Sequence, residues 1–175
     1  MEKQHTLRLA GVIRESIVDG PGIRMTVFVQ GCPHHCKGCH NPQTHDFDGG
    51  EVKSIMEIFE SFKENPLLSG ITFSGGEPFC QPRPLSRLGQ LVKGKGQNVV
   101  TYTGYTYEQL LEMSKTDEGV KDLLEVTDIL IDGPYVEEKR DLDLKYRGSS
   151  NQRIIILNKK LDKLPDLKYY NSNNY

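Results

Sequence analysis

Two hydrophobic periods alternate along this chain, and that alternation restricts what it can fold into more than any other feature. Short runs rich in Val, Ile and Thr occur at Thr6 to Ile13, Met25 to Val29, Ile71 to Ser74, Asn98 to Thr103, Asp128 to Asp132 and Ile154 to Leu157. Most are followed by glycine, as buried strands that end in functional turns should be. Between them lie stripes at helical spacing. Ile55, Met56, Phe59 and Phe62 make one, starting from Val52 and stopped by Asn65-Pro66; Leu85, Leu88, Leu91 and Val92 make a second, closed by Gly94 and Gly96. Tyr107, Leu110 and Leu111, then Val120, Leu123 and Leu124, make two more. Strands and helices alternating over connections of this length imply right-handed crossovers and a mainly parallel sheet. A complete eight-fold barrel takes ~250 residues, and this chain has 175. The expectation is an α/β fold: a partial, open (βα) barrel of about five or six mainly parallel strands.

One domain should span residues 1–157. From Asn158 the composition changes, Lys-rich to Lys163 and then Tyr- and Asn-rich to Tyr175. Residues 158–175 read as a polar, mobile tail, a lid or a frayed end. No internal repeat is visible. With 22 Lys+Arg against 24 Asp+Glu, the formal charge of −2 gives no pull toward nucleic acid or an anionic membrane. The start, Met1 to His5, has no apolar leader, and no run reaches the ~18 apolar residues of a spanning helix. The expected location is the cytoplasm.

Three of the four cysteines fall in Gly31-Cys32-Pro33-His34-His35-Cys36-Lys37-Gly38-Cys39-His40, spaced Cys-x3-Cys-x2-Cys directly after a strand. In a cytosolic chain such packing points to metal ligation rather than disulfides. Two sites fit. Ordinary iron–sulfur cubanes take four thiolates, so three local ligands leave one iron open to another molecule. Alternatively, Cys32, Cys36 and Cys39 with His34, His35, His40 or His45 make a Cys3His zinc site, although a second ligand pair downstream is missing. Cys80 stands apart and reads as a small apolar residue or a nearby thiol.

Ser74-Gly75-Gly76-Glu77-Pro78 follows the apolar Ile71-Thr72-Phe73. Two glycines at a strand's carboxyl end admit a ligand close to the backbone, and an adjacent carboxylate suits an ammonium group. A plain Gly-Gly turn fits the same residues. Ligands of parallel α/β sheets collect at the carboxyl ends of strands, so this turn and the cysteine loop should open on one face. Asp132 ends another strand and is a candidate polar contact there, as are the hydroxyls of Thr101-Tyr102-Thr103-Gly104-Tyr105; a strand edge packed by tyrosines fits that last stretch at least as well.

Cys-x3-Cys-x2-Cys followed by Gly-Gly-Glu-Pro resembles the radical S-adenosylmethionine superfamily. Val18-Asp19-Gly20-Pro21-Gly22-Ile23-Arg24 is similar to the loop that opens glycyl-radical enzyme activases. Asp132-Gly133-Pro134-Tyr135, with Lys145-Tyr146-Arg147-Gly148-Ser149-Ser150-Asn151-Gln152-Arg153, resembles the activases of anaerobic ribonucleoside-triphosphate reductases. Taken singly, the first stretch passes for a rigid polar turn and the last for a solvated loop; their joint occurrence in order carries the likeness. The resemblance implies a 4Fe–4S cluster on Cys32, Cys36 and Cys39 whose open iron is chelated by S-adenosylmethionine. Gly75, Gly76 and Glu77 would hold the methionine ammonium, and the backbone of Gly38, Cys39 and His40 would lie along the adenine. The aromatic residue that many members carry before the third cysteine is replaced by Gly38. No catalytic residue is implied beyond the cluster and its cofactor. Asp19, Gly20, Pro21, Gly22 and Arg24 would form a loop toward the partner. That partner would be the large subunit of the reductase, with a flavodoxin- or ferredoxin-type protein as electron donor.

Three other readings compete. The activase of another glycyl-radical enzyme, such as pyruvate formate-lyase, shares the first motifs but not the Arg147 to Gln152 string. A small radical enzyme acting on a free metabolite shares the cluster. A zinc-stabilised binding module, from a different class, would be colourless and inert toward S-adenosylmethionine.

Overall fold

A computed structural model describes residues 5–161 and 164–167. Its strands are β1 (Thr6–Ser16), β2 (Arg24–Val29), β3 (Glu51–Ser54), β4 (Gly70–Gly75), β5 (Asn98–Tyr102), β6 (Ile129–Asp132) and β7 (Arg153–Ile156). The helices are α1 (Ile55–Lys63), α2 (Pro82–Gly94), α3 (Tyr107–Met113) and α4 (Glu118–Val126). All seven strands join one open sheet in the order β3-β1-β2-β4-β5-β6-β7. Only its middle is parallel: β2, β4, β5 and β6 run together, whereas β1 lies antiparallel to both β2 and β3, and β7 antiparallel to β6. The sheet is thus mixed rather than mainly parallel. Residues 17–23 link β1 to β2 with no helix, and a direct return of that kind gives antiparallel pairing.

Local chemistry sets the helix starts. Ser54 and Glu57 form a reciprocal capping box on α1, Thr106 and Gln109 another on α3, and Asp117 accepts from Gly119 and Val120 on α4. The strand β3 takes Val52 out of the stripe assigned to α1, because residues 51–54 pair with Leu9 to Thr6 along the outer edge of β1.

Side chains alternate across the sheet. Met25, Val27, Val29, Ile71, Phe73, Val99 and Leu130 face the helices and pack with Phe62, Leu85, Leu88, Leu110 and Leu123. The opposite face is polar at its centre. Arg24, Thr26 and Thr72 are fully buried there beneath the loop 17–23. Toward β7 that face turns apolar again: Val100, Ile129, Ile131 and Ile154 pack with Leu161, Leu164 and the wholly buried Leu167. Packing therefore continues past the boundary expected at 157. The rest of the expected mobile tail, Lys168 to Tyr175, lies outside the described residues.

Candidate active site at the carboxyl ends of the parallel strands

The four parallel strands end on one edge of the sheet, and the loops leaving them enclose a cavity of about 870 Å³. Cys32, Cys36 and Cys39 lie on its wall, with Ser74, Gly75 and Gly76 from the end of β4, Thr103 and Gly104 after β5, and Gly133 after β6. Asp19 and Gly22 contribute from the loop before β2, and a strap of residues 141–148 closes the remaining side. The expectation that the cysteine loop and the Gly-Gly turn open on one face is met.

The cysteine loop is held at both ends. Gly31 N–H donates to Thr44 (2.8 Å) and Cys32 N–H to His45 (3.2 Å), which folds the segment back on itself. Gly38 adopts φ +71°, and a Cβ there would sit 2.8 Å from the Glu137 carboxyl group. Glycine thus lets the loop dock on the short helical turn Glu137–Lys139, where Lys37 pairs with Glu137 (3.4 Å) and Glu138 (3.7 Å). His40 stacks obliquely on Tyr135 with ring centroids 4.8 Å apart, so the cavity wall carries an aromatic pair although residue 38 has no ring. Burial pushes the Cys32 thiol up, with Glu77, Cys36 and Cys39 adding to the effect; the charge of a bound metal reverses that balance. Among the described residues, no three His, Cys, Asp or Glu side chains are grouped to hold a single metal ion. Thiolates of a cubane each bind a different iron, so they need not converge on one point.

The two glycines where β4 ends make room for the chain itself. A Cβ on Gly75, at φ +100°, would lie 2.5 Å from Val29 N, and one on Gly76 would lie 2.3 Å from the Gly31 carbonyl oxygen. The Gly-Gly turn can therefore press against the entry to the cysteine loop, bonded through Gly76 N–H to Val29 O and Glu77 N–H to Gly31 O, both at 2.8 Å.

Several expected contacts lie elsewhere. Glu77 is fully buried and does not line the cavity. Its carboxylate accepts from Phe79 N–H (3.0 Å), Thr103 Oγ1 (2.9 Å) and Gly104 N–H (2.9 Å), and lies 2.6 Å from His34 Nε2. Asp132 is likewise buried below the cavity, paired with Arg153 and capping α3 through Tyr107 N–H at 2.7 Å. Arg24 does not face a partner. Its guanidinium is inside the fold, bonded to Thr72 Oγ1 and to the carbonyls of Pro21, Ile71 and Asn98. Burial pushes Arg24 down to about 10, so it stays a cation at neutral pH. Gly20 and Pro21 are buried with it, while Asp19 accepts from Ser16 and Thr26 and supports the loop from within. The exposed members of that stretch are Ile17, Val18 and Gly22. Cys80 is exposed rather than packed as a small apolar residue, and it is absent from the cavity wall.

The string Arg147 to Gln152 stands out in the sequence by resemblance alone, and its physical role is to fasten the strap. Gln152 Oε1 accepts from Gly148 N–H (2.8 Å) and Ser149 N–H (3.2 Å), while its Nε2 donates to Gly133 O (3.1 Å). Asn151 Nδ2 donates to Pro134 O (2.7 Å), Ser149 Oγ accepts from Val136 N–H, and Tyr102 OH donates to Tyr146 O (2.7 Å). Arg147 to Gln152 is a fastening of side chains onto backbone, not a solvated loop.

A family model described as a 4Fe–4S single cluster domain matches residues 18–155. The cavity with its three thiols thus belongs to a single-cluster iron–sulfur protein. Proteins called anaerobic ribonucleoside-triphosphate reductase-activating protein are similar over most of the chain. The one from Vibrio cholerae is 37% identical over 79% of this chain and 90% of its own length. The Escherichia coli K12 protein is 35% identical over 78% and 90%, and the one from bacteriophage T4 is 32% identical over 78% and 86%. The chain belongs to the family of anaerobic ribonucleoside-triphosphate reductase-activating proteins. Among the described residues no helix is long and apolar enough to cross a membrane.

Proposed function

We propose that this chain is a cytoplasmic radical S-adenosylmethionine activase that installs a glycyl radical on the large subunit of an anaerobic ribonucleoside-triphosphate reductase. The observation that carries this reading is the meeting of Cys32, Cys36 and Cys39 with the ends of β4, β5 and β6 on one cavity. Its volume is within the range of cofactor pockets. The residues suit an iron–sulfur cubane: three thiols share the wall, and the buried His45 Nε2, also on that wall, lacks a hydrogen-bond partner. Both His35 and His45 are left to pack edge to face.

When bound, the cluster would supply the one electron needed for reductive cleavage of S-adenosylmethionine to methionine and 5′-deoxyadenosine, the latter carrying away an α-hydrogen from a glycine of the reductase. Cys32, Cys36 and Cys39 hold the metal. The backbone of Ser74, Gly75 and Gly76 receives the methionine end of the cofactor, and Gly38, Cys39 and His40 with Tyr135 form the wall for its adenine. Glu77 and Asp132 act from beneath as fixed supports. The strap and residues 17–23 shield the site from water and leave a mouth for the partner's glycine, whose bare α-carbon suits close approach. A flavodoxin- or ferredoxin-type protein serves as electron donor.

Protein reconstituted without air should be brown and hold about four irons per chain. Reduced with dithionite, it should release methionine and 5′-deoxyadenosine, and with the reductase it should give a glycyl radical by electron paramagnetic resonance. Cys36→Ala should abolish cleavage. A variant that kept it, or a colourless zinc protein, would rule the reading out.

A further inference from the structure

His34 lies between the first two cysteines, and its ring reaches the buried residue that follows the Gly75-Gly76 turn. Its Nε2 is 2.6 Å from Glu77 Oε2. The three other contacts to that carboxyl group come from donors on Phe79, Thr103 and Gly104, and an Nε2–H tautomer of His34 completes the set as a fourth donor. The imidazole is fixed from two more directions. Tyr105 meets it edge to face at 4.5 Å. On another side is Gly104, where a Cβ would come within 2.5 Å of the ring.

We propose that His34 is a positioning residue: through Glu77 it sets how the cysteine loop stands relative to the Gly75-Gly76 turn, and so the fit of S-adenosylmethionine against the cluster. The proposal rests on the function proposed above. Three segments distant in sequence converge on the one carboxylate. The cysteine loop arrives through His34, the end of β4 through Glu77 itself, and the end of β5 through Thr103 and Gly104. Metal ligands and cofactor-binding backbone therefore hang from a single buried carboxyl group with four hydrogen-bond partners. Glu77 directs its oxygens to the scaffold and leaves cofactor contact to the neighbouring glycines.

The test compares His34→Leu and His34→Gln in the full-length protein reconstituted without air. A glutamine amide brings an N–H close to the place of Nε2, whereas leucine fills the space without a donor. The readouts are iron content, the dissociation constant for S-adenosylmethionine and its effect on the spin-resonance spectrum of the reduced cluster. Both variants should retain iron. The leucine variant should bind the cofactor roughly tenfold more weakly, the scale of one lost hydrogen bond, and show a diminished spectral change. The glutamine variant should return near wild type. A leucine variant matching wild type overturns the role of His34, as does one that loses its iron or a glutamine variant equally impaired. Wild-type protein that takes up no cluster, or ignores S-adenosylmethionine, instead overturns the function proposed above.

Discussion

Arg153 on β7 grips two carboxylates, and the more exposed one gives a pH signature. Its guanidinium donates to both oxygens of Glu108 at 3.0 and 2.7 Å, and these bonds pull the Glu108 carboxyl down to about 2 from an ordinary 4.5. A lowered folded-state pKa means that the stabilisation is complete above the ordinary value and fades as pH falls toward the lowered one. Urea titrations of wild type and Glu108→Gln should thus differ most above about pH 4.5 and converge toward pH 2, less so in high salt. A constant difference across that window would show that the pair adds nothing. A second residue tests the crowding after β4. Gly76→Ala places a methyl against the Gly31 carbonyl and should cost about 1–3 kcal/mol, read as a lower denaturation midpoint together with weaker iron retention. Cys80→Ala, at an exposed position off the cavity, should leave iron content unchanged.

At the scale of elements, each strong period marked an element: the four stripes mark α1 to α4, apart from Val52 in β3, and each of the six runs marks a strand, three of them overrunning it by one residue at Thr103, Asp128 and Leu157. The strand β3 went unread because Glu51-Val52-Lys53-Ser54 has one apolar residue and holds its place by backbone pairing at a sheet edge. Arg24 was misplaced because an arginine ordinarily lies at the surface. The hint was the run of polar residues at Thr26 and Thr72 on the same face, which supplies its hydrogen-bonding environment. The strap has no period, since its shape comes from side chains bonding to distant backbone. Gln152→Ala removes three of those bonds. Amide exchange at Gly148 and Ser149 should rise at least about tenfold, as for about 1.4 kcal/mol of lost protection, with little change in the helices. Unaltered exchange there would mean that the strap does not depend on Gln152.

For the whole molecule, the clustering of three thiols and the side of the sheet on which they open were legible, because cysteine spacing and strand ends are local features. The duties of Glu77 and Asp132 were not. Both look like cofactor contacts beside their own neighbours, and only folding brings the donors of residues 34, 103, 104, 107 and 153 to them. Three leucines within the polar end of the chain pack onto the sheet. Ending it at residue 157 would remove Leu161, Leu164 and Leu167 from Ile129, Ile131 and Ile154; burying one such leucine is worth about 1.5–3 kcal/mol. The shortened protein should melt several degrees lower, and an unchanged melting temperature would show that this packing is unimportant. The cavity wall is drawn from residues 32–45 and again from residues 133–152. A ribosome delivers the thiols well before the strap that completes their enclosure, so nascent chains arrested before residue 141 should emerge metal-free.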